Sequence, residues 1–362
     1  MSNATTELKV AIVLPRGMVF SNKGATSIDL VARDLGLNSR YRATTRTFGA
    51  VVDEPFDDLE FIGVHAGSTR ALMRRIAGFL IDDRPDIVVC HQHLESAAYL
   101  QKKLKDVPVV LHRHGLLKSP RNGLSRWLKA RQLEKCAALV FVSSFLRDRF
   151  AKDYPAVMAR SWVVHNGVDT AFWKPAHPKE KLVAFAGRAR ADKGVNLLVE
   201  CFQRLEPSDW RLSLCLAAQT PDELALARSI HAAAAGAANL SVQINASVEQ
   251  VQAVFATASI AALPSLVEEG YHRAAIEALA CGCLVIASDR GGAREALAMD
   301  GILLKKTTST ELMDALRHAT SMFDESSEGE RRVDLKRIAI QERARQYDDL
   351  LLHVAGKAKG AR

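Results

Sequence analysis

The run Pro264-Ser265-Leu266-Val267-Glu268-Glu269-Gly270-Tyr271-His272-Arg273-Ala274-Ala275-Ile276-Glu277-Ala278-Leu279-Ala280-Cys281-Gly282 places two glutamates, Glu269 and Glu277, on either side of seven residues. The apolar residues 260–263 just before it have the length and composition of a buried strand, which Pro264-Ser265 ends. From Tyr271 to Cys281 small and apolar residues recur at helical spacing, and Gly282 supplies a stop. Glu269 is therefore expected just before a helix, and Glu277 about two turns inside it. Open parallel sheets bind ligands at their carboxyl edge, so both carboxylates are expected to border one pocket there. The amides of Gly270, Tyr271 and His272 are expected to face the same pocket and to favour an anion.

The same alternation runs through the chain. Apolar strands are predicted at 10–14, 86–90, 107–111 and 138–142, and again at 182–186, 212–216, 240–244 and 284–288. Helices are predicted over 27–35, 145–150, 194–205, 248–256 and 333–354, with Ser143-Ser144 and Ser247 as caps. Two strands of the first half end in polar runs, His91-Gln92-His93 and His112-Arg113-His114-Gly115. A Lys- and Pro-rich segment, 174–179, separates the halves. This order predicts a parallel α/β architecture, and 362 residues are long for one core.

Composition narrows the functional class. No apolar run of about 18 residues is present and no charged start leads into an apolar segment, so a cytoplasmic protein is expected. The six cysteines are scattered without paired metal-ligand spacing, which reads as free thiols. Charge is uneven: residues 1–165 hold 25 Lys+Arg against 16 Asp+Glu, and the remainder 24 against 25. Between Lys102 and Arg131 lie nine basic residues and one acid, Asp106. No nucleic-acid module accompanies this excess, so an anionic inner membrane or a phospholipid-linked acceptor is the expected partner. Within it, 122–131 mixes Leu124, Trp127 and Leu128 with Arg126, Lys129 and Arg131, a composition suited to an interfacial helix or to an ordinary surface helix. No Gly-x-Gly-x-x-Gly follows Leu14, which argues against a nicotinamide-dependent enzyme.

The paired glutamates resemble the Glu-x7-Glu signature of glycosyltransferase family 4. Two further stretches agree with that family in kind and order. Asn166-Gly167-Val168-Asp169, with Phe172 and Pro175, resembles its interdomain segment. Gly187-Arg188-Ala189-Arg190-Ala191-Asp192-Lys193-Gly194 resembles its Gly-Arg-x4-Lys-Gly phosphate loop. The three motifs span about half the chain, while the N-terminal half agrees only in general pattern.

The resemblance implies an α/β GT-B fold: two Rossmann-like domains facing each other across a cleft. They would comprise an acceptor-binding domain (1–165) and a nucleotide-sugar-binding domain (166–337), with a terminal helix (338–362) packing back on the first. It implies retaining transfer of a hexose from a nucleotide diphosphate donor, UDP by family frequency, to a saccharide or lipid-linked saccharide. Bacterial lipopolysaccharide or surface polysaccharide synthesis is the implied setting. No cofactor and no divalent metal is implied; Arg188 and Lys193 would meet the diphosphate charge on a loop opened by Gly187. Glu277 would accept the ribose hydroxyls, and Glu269 the hydroxyls of the transferred sugar. His114 would stand beside sugar and acceptor, with His112 the competing choice, and Gly24 would approach the diphosphate. Two departures are visible: Lys23-Gly24 replaces paired glycines, and His272 replaces the second glycine of Gly-Phe-Gly. An epimerase or phosphorolytic enzyme on the same fold, or a polyanion-binding module without catalysis, are the alternatives.

Overall fold

The computed structural model describes residues 7–205, 209–325 and 333–360. The chain forms two compact units, residues 1–167 with 340–362, and residues 168–339. The first unit holds strands β1 (Val10–Val13), β2 (Thr45–Ala50), β3 (Glu60–Val64), β4 (Ile87–His91), β5 (Val109–Arg113), β6 (Ala138–Phe141) and β7 (Ser161–Val163). They form one parallel sheet in the order β3-β2-β1-β4-β5-β6-β7. The second unit holds β8 (Glu180–Arg188), β9 (Arg211–Ala217), β10 (Leu240–Ile244), β11 (Ala258–Leu263), β12 (Leu284–Ser288) and β13 (Gly301–Leu304), again all parallel, in the order β10-β9-β8-β11-β12-β13.

In each unit the winding reverses beside the first strand. The switch points lie between β1 and β4 and between β8 and β11, the places where open parallel sheets bind ligands beyond their strand ends. The central strands β4, β11 and β12 are buried throughout, which is why they read as unbroken apolar runs. Missed in the sequence were β2, β3, β7 and β13. β2 alternates Thr, Arg and Phe; β3 carries Glu60 and Gly63; β7 and β13 have only three and four residues. None presents an apolar run long enough to stand out.

Caps set the helix starts. Thr26 and Asp29 form a capping box at Ser27–Asn38, Ser143 accepts from Leu146 N at the start of Ser144–Asp153, and Ser247 with Gln250 boxes Val248–Thr257. The C-terminal helix starts at Ile340, later than residue 333, because Asp334 caps a separate 3₁₀ turn, Leu335–Arg337. That helix packs on the first unit. Tyr347, Leu350, Leu351 and Val354 enter one core with Val10, Leu14, Val31 and Leu35, each such side chain contributing about 1.5–3 kcal/mol by burial. Asp348 accepts from Ser39 Oγ (2.6 Å) and Arg40 N (2.8 Å), tying the same helix to the end of Ser27–Asn38. Gly167 allows the tight passage beside it, since a Cβ there would lie 2.7 Å from Ile340 Cα. All six cysteines are buried thiols. Among the described residues no helix is long and apolar enough to cross a membrane.

Candidate functional site

In the second unit, β8 and β11 are neighbours at the switch point, and the loops leaving their carboxyl ends are locked together. The loop after β8 ends at Gly194, whose φ is +73°. A Cβ there would fall 2.0 Å from the Pro264 carbonyl oxygen, so only glycine lets the two loops touch. Leu266 N donates to Asp192 O (2.8 Å), completing the lock. Two charged side chains meet as a result. Lys193 Nζ donates to Glu269 Oε1 at 2.6 Å, and Ser265 Oγ donates to the same oxygen at 2.7 Å.

The backbone of Glu269 is fixed from the opposite side by the turn after β12. Gly292 N donates to Glu269 O (2.8 Å), and Glu269 bridges Gly291 in parallel register. Gly291 has φ +69°, and a Cβ on it would sit 2.2 Å from Glu269 O. Burial opposes ionisation of Glu269, yet the charges of His272 and Lys193 and the hydrogen bonds from Lys193 and Ser265 bring its carboxyl down to about 2. His272 is itself held neutral at pH 7, because burial pushes its pKa down against the pull of Glu269. Lys193 and Ser265 are therefore what keep the carboxylate charged at that pH. Both bonds engage Oε1, which leaves Oε2 for a ligand hydroxyl.

Arg188 ends β8 and pairs with Glu223 Oε1 at 2.6 Å. Glu223 is buried in helix Pro221–Ala234, and its other oxygen accepts from Gln219 N (2.9 Å). Arg188 is thereby aimed from the edge of the sheet. Gly187 packs its open face on the Phe185 ring, where a Cβ would approach within 3.2 Å.

Glu277 lies in helix Arg273–Ala280, buried and paired with Arg273 Nε at 2.6 Å. The helix begins at Arg273, two residues later than its apolar spacing implies, because His272 has ψ 84° and stands at the N-cap position. Gly270, Tyr271 and His272 therefore form the approach to the helix, with Tyr271 buried. The His272 ring bonds the Leu263 carbonyl, and its Nε2 is buried with no hydrogen-bond partner. Nδ1 is then the donor, so Nε2 presents a lone pair beside the Lys193–Glu269 pair.

In the first unit, His91 ends β4, while His112 and His114 lie at the end of β5. His91 Nδ1 and His114 Nε2 are 2.9 Å apart, and His112 Nδ1 meets the Tyr347 hydroxyl at 3.2 Å. Burial pushes the pKa of His91 down to about 3 and those of His112 and His114 well below the usual histidine range, so all three are neutral at pH 7. His112 is fully enclosed and His114 partly exposed, so His114 has the better access to a ligand. Gly24, in the connection from β1 to helix Ser27–Asn38, has φ +82° and open space around the missing Cβ.

The contacts thus join Lys193 to Glu269 directly, while Arg188 and Glu277 each have a separate partner at the same sheet edge. Sequence reasoning missed Ser265, Glu223, Arg273 and Gly291. Arg273 and Ser265 had local signals, each four residues from the glutamate it bonds. Glu223 arrives from a helix and Gly291 from the turn after β12, both distant in sequence from the residues they hold.

The sequence matches the family described as "Glycosyltransferase Family 4" over residues 27–172 and that described as "Glycosyl transferases group 1" over residues 180–321. It is 31% identical over 251 residues to the alpha-maltose-1-phosphate synthase of Mycolicibacterium smegmatis, covering 60% of this chain and 64% of that protein, slightly under two thirds of its length. It is 30% identical over 271 residues to the alpha-maltose-1-phosphate synthase of Mycobacterium tuberculosis, covering 65% of this chain and 68% of that protein. The fold matches a crystal structure of Anabaena Alr3699/HepE in complex with UDP and glucose, with a TM-score of 0.72 at 15% identity, covering 98% of this chain and 99% of that one.

Proposed function

The chain belongs to the group 1 glycosyltransferases, glycosyltransferase family 4, with their pair of parallel-sheet GT-B domains, and from that premise we propose that it is a retaining hexosyltransferase using a nucleotide diphosphate sugar. The observation that carries this reading is the Lys193–Glu269 pair at the switch point of the second sheet. A nucleotide sugar offers a diphosphate that gains negative charge as the bond to the sugar breaks, and a hydroxylated ring beside it. Lys193 commits one N–H to Glu269 and keeps two for phosphate oxygens. Glu269 Oε2 takes a sugar hydroxyl. Arg188, aimed by Glu223, adds a forked donor to the same diphosphate. Glu277, oriented by Arg273, accepts the ribose hydroxyls.

The three cations are each paired with a carboxylate, so the site is close to charge-neutral before the donor arrives. Recognition then rests on aimed donors more than on net charge. In the mechanism we assign, the acceptor hydroxyl attacks on the face the phosphate leaves, and the departing phosphate oxygen takes its proton. The positive charge needed comes from Arg188 and Lys193, without a divalent metal at the diphosphate. His272 supplies a lone pair where the family has glycine, and this shapes the choice of sugar. UDP is the carrier we favour, as a UDP complex of the same fold supports.

A panel of nucleotide sugars tests the reading by thermal stabilisation. A donor at about 100 times its Kd is expected to add about 2.7 kcal/mol to the native state. No stabilisation by any nucleotide sugar would remove the proposal.

His114 takes the acceptor side, and the acceptor we favour is a saccharide on a lipid carrier, as in lipopolysaccharide or surface polysaccharide assembly. Support comes from helix Gly123–Leu133, whose Leu124, Trp127 and Leu128 are 65%, 54% and 51% exposed among Arg121, Arg126, Lys129 and Arg131. An apolar strip framed by cations suits the surface of an anionic bilayer on its cytoplasmic face. The protein is expected to sediment with phosphatidylglycerol vesicles and not with phosphatidylcholine vesicles. Leu124→Glu with Trp127→Glu is expected to abolish that co-sedimentation, and equal binding by the double variant would refute the contact.

A further inference from the structure

The three histidines at the carboxyl edge of the first sheet converge more closely than their turn requires. One ring nitrogen from each lies within 4.8 Å of the other two. Other groups hold the backbone in place. Gln92 Oε1 accepts from the amides of His114 (2.9 Å) and Gly115 (3.2 Å), and Arg113 donates to the carbonyls of Gln92 and Gly115. Gln92 does so at φ +59°, a left-handed conformation that a non-glycine residue adopts only at a cost. The imidazoles are thus not needed to hold that backbone; they pack on one another instead, with ring centroids 4.4 to 5.0 Å apart. His91 and His114 share one hydrogen bond and stack with ring centroids 5.0 Å apart, and His112 Nε2 is buried with no hydrogen-bond partner. Leaving such a nitrogen without a partner is unfavourable, and a ligand would relieve it.

We propose that His91, His112 and His114 form a binding site for one divalent ion of the zinc class. The ligand atoms are His91 Nδ1, His112 Nε2 and His114 Nε2, with a fourth position open to water or an anion. Two nitrogens on a tetrahedral zinc stand about 3.3 Å apart, so the His91–His114 pair, 2.9 Å apart, must open slightly while His112, within 4.8 Å of both, draws in. Imidazoles select Zn²⁺, Co²⁺, Ni²⁺ or Cu²⁺ over Mg²⁺ and Ca²⁺, which separates this site chemically from any ion on a diphosphate. The Tyr347 hydroxyl lies 3.2 Å from His112 Nδ1 and can accept its N–H, the tautomer in which the Nε2 lone pair points inward. Each neutral ring carries one N–H. On binding, the proton shared between His91 and His114 moves to the far nitrogen of its own ring, and none is released. His93, although close in sequence, is excluded because its Nδ1 accepts from Ser96 N (3.2 Å) and caps the next helix.

A filled site would occupy His114 Nε2, so saturating zinc suppresses transfer. That consequence rests on the role given to His114 above; the binding itself does not. The test is a titration of the untagged full chain with Co²⁺, read by the visible bands of tetrahedral cobalt, followed by displacement with Zn²⁺. One ion per chain is expected. His112→Gln and His114→Ala are each expected to weaken binding roughly 100-fold, and Tyr347→Phe, which touches the ion only through His112, about 10-fold. Should His112→Gln fail to fold, the partly exposed His114 and the outer Tyr347 carry the comparison. Absence of tetrahedral cobalt bands in the wild type, or bands that His114→Ala and Tyr347→Phe leave unchanged, would overturn the proposal.

Discussion

Lys193→Ala is expected to lower turnover by roughly 10²–10³-fold, about 3 kcal/mol of lost transition-state stabilisation. The effect has two physical parts. In the function proposed above, removing the ammonium takes away a donor for the charge that develops on the leaving diphosphate. It also strips Glu269 of the partner, 2.6 Å away, that offsets its charge. Burial then pushes the Glu269 carboxyl back up from about 2, and whatever fraction stays ionised repels the donor. A double-mutant cycle separates these parts. Glu269→Gln is expected to cost less in the Lys193→Ala background than in the wild type, because the pair acts as one unit. Additive losses, or unchanged turnover in Lys193→Ala, would show that this pair does not handle the donor.

Gly291→Ala should be among the most damaging single methyl groups in the second unit. The left-handed backbone costs alanine about 1 kcal/mol. Steric overlap costs more, since the new Cβ would stand 2.2 Å from Glu269 O and 2.6 Å from Glu269 N, rigid backbone atoms. Relief requires the Glu269 segment to move, which breaks the Gly292 N–Glu269 O bond and draws the carboxylate away from Lys193. A total of about 3 kcal/mol is expected, lowering the melting temperature of this unit by roughly 6–12 °C. Gly24→Ala is the control. It shares a positive φ, but its Cβ meets nothing within 4 Å, so only the backbone cost of about 1 kcal/mol is expected. Equal melting temperatures for the two variants would contradict the close approach.

What the sequence disclosed, and what it withheld, follows from range. Buried central strands announce themselves because both faces are apolar, as in Ile87–His91 and Leu284–Ser288. Caps such as Thr26 and Ser247 act within three residues, and Ser247 is legible directly. The paired glutamates and the glycine-framed loop are legible because each is local. Their meeting is not, since Lys193 and Glu269 are 76 residues apart and are joined by Gly194 against Pro264. Lys179 is the extreme case. It sits in a Pro-rich segment that reads as linker, yet its ammonium donates to the carbonyls of Phe255, Ala256, Ala258 and Cys281. Only the fold brings four carbonyls to one lysine. The histidines stand out individually at their strand ends, and their convergence depends on the pairing of β4 with β5.

A structure of the second unit's site with a bound nucleotide sugar bears most directly on this account. The expected result has the diphosphate within hydrogen-bond reach of Lys193 and Arg188, the ribose hydroxyls on Glu277 and the sugar on Glu269. A donor bound elsewhere, with the Lys193–Glu269 pair untouched, would contradict it.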